Sequence, residues 1–491
     1  MAFRVIHRFC GLRAADIMTS TSELGVSFSD EPLLPWRLVI SVCRQRHTRC
    51  LQAPAVCSGS CLRGVGVRLD MEHIVLGIHE EWGQEVPFVL FPEDRRHHLY
   101  AIGKTGTGKT TLLRNLILQD IEAGNGVGVI DPHGDLATDI LDFIPRRRVE
   151  DVAYFNPADL GHPVGFNLLG QTLDDERHLV ASGIVSAFQS IWPDFWGPRL
   201  EYILHAAVAA LLHCDNVSLL GVQRMLSDAR YRAWVVKQVD DPMVRSFWVN
   251  EFEEYDARFL HEAIAPIQNK VGQLLMSPHV RNILGQVRSR IDARFMMDNE
   301  RIFIADLSKG KLGADKSNLL GALLMTQFQL AAMSRANVPE AERRDFFLYV
   351  DEFQSFASDS LVSILSEARK YRLCLTLSHQ YIDQLRPEIR DAVFGNVGSI
   401  LSFRVGHKDA KILEQAFGET YTASQFATLS NREVYAKLLQ LGQDCQPFLG
   451  KTLPPLGERH GRRETIVRRS REKYGAQRRI VEDRIRRWFQ D

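Results

Sequence analysis

The chain has 491 residues, enough for about three domains and a large hydrophobic core. Its 60 lysines and arginines balance 60 aspartates and glutamates, so no global positive charge marks a nucleic-acid-binding protein. Any basic binding surface must therefore be local. No apolar run approaches the roughly 20 residues that a membrane-spanning helix needs. We expect no membrane insertion and a cytoplasmic location.

Residues 1–70 differ in composition from the rest of the chain. They hold nine arginines and no lysine, and five of the eight cysteines lie within the first 61 residues. The cysteine spacing fits no common zinc site. We predict a poorly ordered leader. A sharper hypothesis is that the native chain starts at Met71, because strand-like runs such as HIVLGIHE begin directly after it.

The segments that follow predict an α/β fold with an inserted helical domain. HHLYAIG predicts a strand, residues 110–123 a helix closed by Gly124, and GVGVIDPHGD a second buried strand. Short strands that alternate with helices indicate a mostly parallel sheet. The predicted units after the leader are a first α/β part (71–171), an all-helical insertion (172–290), a second α/β part (291–450) and a basic tail (451–491). The tail carries 13 lysines and arginines against 6 acidic residues, and its end, IVEDRIRRWFQD, is predicted to form an amphipathic helix. The tail would either contact DNA or a partner or form a solvated helix.

A phosphate-binding loop lies between the first strand and the first helix of this α/β region. GKTGTGKTT contains the pattern G-x-x-x-x-G-K-[ST], in which backbone N–H groups at a helix N-terminus converge on phosphates. Lys109 would reach the β- and γ-phosphates, and the Thr110 hydroxyl would bind Mg²⁺. The predicted nucleotide contacts are Gly103, Lys104, Thr105, Gly106, Thr107, Gly108, Lys109, Thr110 and Thr111.

Two later strands supply the groups that hydrolysis needs. DFFLYVDEF places Asp351 at the carboxyl end of a buried strand, the edge where ligands bind in such sheets. We predict that Asp351 holds Mg²⁺ through water and that Glu352 polarises the attacking water. The strand LCLTLSHQ ends in Gln380, whose neutral amide can report the γ-phosphate by hydrogen bonding; the alternative is a polar residue that only caps the strand.

Two further patterns have competing interpretations. Arg369, near a helix end in SEARKYRL, is predicted to reach the γ-phosphate of a neighbouring subunit, with Arg281 and Arg404 as rival candidates. The alternative is an arginine on a solvated helix face. DPHGD matches the GTPase element D-x-x-G, but no N-K-x-D base-reading motif accompanies it. Asp131 and His133 are therefore expected to line the nucleotide cleft or to serve the structure alone.

Together these motifs resemble a known family. GKTGTGKTTLL, VGVIDPHGD, FFLYVDEFQ, EARKYRLCLTLSHQ and FRVGHKDA are similar to the ATPase domain of type IV secretion coupling proteins of the TraG/TraD kind. They also resemble the related HerA/FtsK motor ATPases. The similarity covers about residues 85–450. It implies a P-loop fold of the RecA/ASCE kind in a hexameric ring, with ATP and Mg²⁺ at subunit interfaces and DNA through the centre.

The same resemblance implies roles for individual residues and partners. Lys109, Thr110, Asp351 and Glu352 would bind and hydrolyse ATP, Gln380 would act as the sensor, and Arg369 would act in trans. Relaxase or secretion-system proteins are further partners that the resemblance suggests. Membrane-bound coupling proteins begin with transmembrane helices, and no such helix is evident here, so a soluble motor fits the sequence better.

Three functions are weighed on this basis. The first is an ATP-driven DNA translocase, which the full hydrolysis set and the resemblance favour. The second is an ATP-dependent switch that binds DNA or protein without moving along it. The third is a small-molecule phosphotransferase, for which neither a substrate site nor a lid is apparent in the sequence.

Overall fold

A mixed sheet of 11 strands runs through the computed structural model, which describes residues 73–170, 172 and 174–490. The predicted leader and the proposed start at Met71 lie outside the described residues. The strands are β1 (Ile74–Glu81), β2 (Gln84–Leu90), β3 (Leu99–Ile102), β4 (Gly126–Asp131), β5 (Val152–Phe155), β6 (Ile302–Asp306), β7 (Phe346–Val350), β8 (Leu373–His379), β9 (Ser399–Ser402), β10 (Glu433–Lys437) and β13 (Phe448–Thr452). A separate two-stranded hairpin is formed by β11 (Leu439–Gln440) and β12 (Gln443–Asp444).

The strand order is β2-β1-β13-β10-β9-β3-β8-β7-β4-β6-β5. From β9 to β5 all neighbours are parallel, whereas β2, β1, β13 and β10 continue the sheet in antiparallel fashion. Ile102 at the end of β3 pairs with His379 at the end of β8. Val350 at the end of β7 pairs with Ile130 of β4. The parallel strands thus end together at one edge, which we call the carboxyl edge; the opposite one is the amino edge.

Helices cover both faces of the sheet. The first α/β part contains α1 (Pro92–Arg95), α2 (Lys109–Ala123) and α3 (Asp135–Ile140). Between β5 and β6 the chain is helical, with a π-helical turn over Phe247–Phe252 and with α4 (Arg177–Ile191), α5 (Pro198–Leu211), α6 (Gly221–Ser227), α7 (Ala229–Val236), α8 (Pro242–Ser246), α9 (Ala257–Met276), α10 (Pro278–Leu284) and α11 (Ala293–Asp298). The remaining helices are α12 (Lys309–Leu312), α13 (Ala314–Met333), α14 (Asp359–Glu367), α15 (Pro387–Asn396), α16 (His407–Ala416), α17 (Ala423–Thr428), α18 (Arg463–Tyr474) and α19 (Arg478–Gln490).

Alternate side chains of each central strand point to two different hydrophobic cores. In β3, Leu99 and Ala101 pack with α2 and α3, whereas Tyr100 and Ile102 pack on the side of the helical segment. A strand that is covered on both faces reads as a continuous apolar run, as LYAI and FFLYV do. This explains why the central strands could be recognised in the sequence.

The basic tail docks on the protein as two helices. The Ser470 hydroxyl of α18 accepts from the Tyr154 N–H of β5 at 2.9 Å and donates to the Tyr154 carbonyl at 3.3 Å. Because β5 ends the sheet, α18 protects an otherwise open strand edge. In α19, Val481 and Ile485 are buried, and the Trp488 carbonyl accepts from the Arg224 guanidinium at 2.8 Å. The predicted amphipathic helix over IVEDRIRRWFQD is therefore present and packed.

The local predictions agree closely with the structure. The helix predicted over 110–123 runs from Lys109 to Ala123, and Gly124 closes it with a φ of 94°. The antiparallel strands β10 to β13 were not expected. Within the described part of the chain, no helix combines the length and the apolar character that a membrane span requires.

Candidate active site

The phosphate loop leads from β3 into α2 at the carboxyl edge. Gly106 and Gly108 have φ values of 77° and 119°, which side-chain-bearing residues rarely adopt. A Cβ on Gly103 would lie 2.5 Å from the Cβ of Phe403, so close packing requires a glycine at position 103 as well. The buried Thr107 hydroxyl donates to the Lys104 carbonyl at 2.7 Å and ties the loop back on itself.

Lys109 is the first residue of α2 and points into the loop. Its ammonium donates to the carbonyl oxygens of Gly103 at 2.5 Å and Lys104 at 3.2 Å. Burial lowers the pKa of Lys109, and the carboxylates of Glu352 and Asp351 oppose this shift. The next residue, Thr110, is exposed. The cation and the hydroxyl thus lie at the start of one helix, where its unpaired N–H groups also point.

Asp351 follows β7 and is almost completely buried. The Ser378 hydroxyl of β8 donates to its carboxylate at 2.8 Å. Burial is the main cause that raises the pKa of Asp351 to about 6; nearby Asp131 and Glu352 raise it further, while Ser378 and Lys109 oppose the shift. A divalent cation beside this carboxylate would favour its ionised form.

Glu352 is held in a fixed orientation by two amides. The Gln380 Nε2 donates to its Oε1 at 2.7 Å, and the Gln354 Nε2 donates to its Oε2 at 2.8 Å. Glu352 has a φ of 44°, in the left-handed region that costs a side-chain-bearing residue about 1 kcal/mol or more. This left-handed conformation turns the chain sharply after β7 and keeps the carboxylate at the carboxyl edge.

Gln380 links the phosphate loop to Glu352. The Thr105 hydroxyl donates to the Gln380 Oε1 at 2.9 Å, while the other end of the same amide donates to Glu352. Since a carboxylate can only accept, the NH₂ group of the amide must face Glu352. The structure therefore brings together the phosphate loop, the acid pair and the strand-end glutamine that were selected from the sequence.

Lys309 lies beside the candidate site and was not selected from the sequence. It follows β6 at the same carboxyl edge, and its ammonium donates to the Ser355 hydroxyl at 2.6 Å, three residues after Glu352. Burial lowers the pKa of Lys309, and Glu352 opposes this shift. The sequence held a signal for this lysine, because the polar stretch SKG directly follows the apolar run RIFIADL.

Arg369 lies at the amino edge, far from the phosphate loop of its own chain. Its Nη1 donates to Nδ1 of His97 at 3.2 Å, just before β3 begins. The seven residues of β8 separate the two edges by about 20 Å. Arg369 therefore cannot act on its own chain's site, and its action in trans stays a prediction.

The rival arginines occupy different places. The Arg404 carbonyl accepts from the Lys104 N–H at 2.8 Å, so its backbone supports the phosphate loop. Its guanidinium points to the Leu429 carbonyl at 3.4 Å. Arg281 belongs to α10 in the helical segment and donates to the Met276 carbonyl at 3.4 Å.

Asp131 caps a helix beside the acid pair. Its carboxylate accepts from the backbone N–H groups of His133 at 2.8 Å and Ala137 at 3.0 Å. Burial raises the pKa of Asp131, and these backbone hydrogen bonds oppose the shift. His133 itself is exposed. Asp131 thus shapes the turn between β4 and α3, next to Asp351.

A mostly parallel sheet with a phosphate loop after β3, separated by β8 from an acid pair after β7, is the fold of a P-loop nucleoside triphosphatase. Comparison with solved structures identifies proteins that share this fold. The plasmid coupling protein TrwB in complex with the ATP analogue ADPNP is 16% identical, with a TM-score of 0.57 over 79% of this chain and 90% of that one. TrwB with ADP and Mg²⁺ is 16% identical, with a TM-score of 0.55 over 77% and 89%. VirB4 of Thermoanaerobacter pseudethanolicus is 14% identical, with a TM-score of 0.52 over 80% and 98%.

No protein-family model and no curated protein sequence matches the chain. The structural matches confirm the predicted α/β P-loop fold and, at the level of fold, the resemblance to coupling-protein ATPases.

Proposed function

We propose that this protein hydrolyses ATP with Mg²⁺ at the interfaces of a homo-hexameric ring and uses the energy to move DNA. The observation that carries the proposal is the hydrogen-bonded connection from Thr105 through Gln380 to Glu352, at the edge that holds Lys109 and Asp351. It joins a phosphate-binding loop to a group able to activate water.

The residues at this edge fit ATP and Mg²⁺ by their chemistry. The Thr110 hydroxyl and the Asp351 carboxylate are oxygen ligands of the kind that Mg²⁺ prefers. Lys109 and the N-terminus of α2 supply positive charge for phosphates. TrwB, which shares the fold, has been solved with an ATP analogue and with ADP and Mg²⁺. Bound Mg²⁺ would supply positive charge that offsets the charge on the phosphates.

The protein's own residues would divide the reaction between them. Glu352, oriented by Gln380 and Gln354, would accept a proton from the attacking water. Lys109 would exchange its two backbone carbonyl partners for phosphate oxygens. Gln380 contacts both the loop and Glu352, so a change at the γ-phosphate would alter how Glu352 is held.

Arg369 would complete the site from the next subunit. Its exposed place at the amino edge, in the part of the chain that the structure describes, suits this role. An arginine supplied in this way typically accelerates phosphoryl transfer by about a thousandfold or more.

The coupling of hydrolysis to DNA rests on the resemblance and on the likeness to a plasmid coupling protein. DNA would pass through the ring, with its phosphates contacted largely without sequence preference. Relaxase or secretion-system proteins would deliver the DNA.

Steady-state ATP hydrolysis by the full chain tests the proposal, measured in Mg²⁺ or EDTA and with single-stranded, double-stranded or no DNA. We expect Mg²⁺-dependent turnover that one form of DNA stimulates strongly. Lys109→Ala is the matched inactive control. Turnover that is indifferent to both forms of DNA would count against a motor and in favour of an ATP-dependent switch.

A further inference from the structure

Arg432, the residue before β10, borders the phosphate loop at the carboxyl edge. Its N–H donates to the Thr107 carbonyl of the loop at 2.9 Å, and its carbonyl accepts from the Thr452 N–H at 2.8 Å. A Cβ placed on Gly108 would lie 3.4 Å from the Cγ of Arg432. The stem of the Arg432 side chain therefore packs over the glycine at which α2 begins.

The backbone of Arg432 adopts a conformation that side-chain-bearing residues rarely take, with a φ of 69°. Arg372 at the amino edge is similar, with a φ of 61°, but its guanidinium lies 3.8 Å from the carboxylates of Glu340 and Asp345. Among the residues that the structure describes, none accepts a hydrogen bond from the half-buried Arg432 guanidinium or forms an ion pair with it. A strained backbone beside a binding loop, with a charge that the fold does not use, points to a ligand.

The strand order indicates which part of a nucleotide would lie near this arginine. In the order β10-β9-β3-β8-β7, the phosphate loop follows the central strand. Gln380 and Glu352 follow β8 and β7 on one side of the loop, and Arg432 precedes β10 on the other. Water activated by Glu352 would attack the γ-phosphate in line with the leaving β-phosphate. The α-phosphate, ribose and base would therefore extend away from Glu352, towards β9 and β10.

We infer that Arg432 binds the α-phosphate of the nucleotide held by its own chain. The inference rests on the proposed function and deepens it, since it adds a second cation to a loop where Lys109 serves the β- and γ-phosphates. A guanidinium is always charged and matches a phosphate with two parallel hydrogen bonds, so a phosphate is a better partner for it than an uncharged base. The α-phosphate does not change when the γ-phosphate is cleaved. Arg432 should therefore strengthen binding of ATP and ADP alike and leave the chemical step unaffected.

The backbone conformation permits a test that spares the fold. Arg432→Asn removes the charge and places at this position a residue that tolerates a positive φ. Without nucleotide, its thermal midpoint should be equal to or higher than that of the wild type. Calorimetric titration of the full chain with ADP or ADPNP and Mg²⁺ should show a Kd raised about tenfold or more, as expected when a charged hydrogen bond is lost. At saturating ATP the turnover rate should stay within about twofold of the wild type while KM rises.

Three further variants and a second ligand isolate the contact. Arg432→Lys and Arg432→Gln share the backbone strain of the wild type, so a smaller loss of affinity in the lysine variant would report the charge alone. Arg372→Asn removes an arginine with the same left-handed backbone at the other edge and should bind ADPNP like the wild type. Inorganic tripolyphosphate has a phosphate at the α position but neither ribose nor base. Its affinity should fall by the same factor as that of ADPNP in Arg432→Asn.

The outcomes separate this inference from the proposed function. Unchanged affinity of Arg432→Asn for ADPNP would overturn the inference even if the wild type hydrolyses ATP and moves DNA. A loss of affinity for ADPNP but none for tripolyphosphate would also overturn it, because Arg432 would then contact the base or the ribose. If the wild type binds ADPNP but hydrolyses no ATP, the proposed function fails. In that case an equal loss of affinity for both ligands in Arg432→Asn would still support the α-phosphate contact.

Discussion

The buried, ionised carboxylate of Asp351 is expected to lower the free energy of unfolding of the protein. Its side chain is 6% exposed, and burial raises its pKa from 3.8 to about 6. At pH 7.5 the buried carboxyl group is ionised, and no lysine or arginine forms an ion pair with it among the described residues. Asp351→Asn should therefore stabilise the protein when nucleotide and Mg²⁺ are absent. The amide oxygen of the new side chain can still accept from Ser378.

The magnitude follows from the pKa of the carboxyl group. A rise from 3.8 to about 6 is roughly two pKa units, or about 3 kcal/mol at most at pH 7.5. The folded state binds the proton more tightly than the unfolded state does. Stability linked to this proton is therefore fully present below pH 4 and is lost as the pH rises through about 6. The advantage of Asp351→Asn should shrink accordingly between pH 7.5 and pH 5.

Urea unfolding in EDTA at several pH values measures this difference. Asp228→Asn is an opposite control, because a hydrogen bond from Arg224 lowers the pKa of Asp228 and its carboxylate caps α7. That variant should lose stability. If Asp351→Asn gains no stability at pH 7.5, or gains the same amount at pH 5, burial of Asp351 is not costly and the reasoning fails.

Three predictions concern the reaction itself. Lys109→Ala should lose nucleotide binding or turnover, because the cation in the phosphate loop is gone; wild-type turnover would refute the site assignment. Glu352→Gln should still bind ATP, as measured by filter binding, but hydrolyse it about 100-fold or more slowly, since the base is missing; rapid turnover would exclude Glu352 as the base. Lys109→Ala and Arg369→Ala should each be inactive alone, yet a mixture of the two should regain activity, because some interfaces then combine an intact loop with an intact arginine. A mixture without activity would contradict action in trans.

The phosphate loop and the acid pair could be predicted because their signals are local. Three glycines within six residues set the course of the loop, and the apolar run FFLYV places Asp351 at a strand end. The rule that parallel strands end together also placed Gln380 at the correct edge. The strand order β3-β8-β7 could not be predicted from the sequence. This order lets Gln380 contact Thr105, which lies 275 residues earlier in the chain, and Glu352, which lies 28 residues earlier.

Other features could not be predicted because tertiary contacts determine them. Strand β13 is only partly buried, with Leu449 exposed, so its residues lack the apolar run that identified the central strands. The amphipathic pattern of α19 predicted a helix but not its contact with Arg224. Arg369 and the phosphate loop of the same chain lie at opposite edges of the sheet. Only the structure shows this separation.

Displacement of a DNA-bound protein roadblock tests the central claim most directly. The account predicts that the wild-type chain removes the roadblock with ATP and Mg²⁺ but not with ADPNP, and that Glu352→Gln fails with either nucleotide. If the wild type hydrolyses ATP in the presence of DNA while the roadblock stays bound, the protein is not a translocase but an ATP-dependent switch.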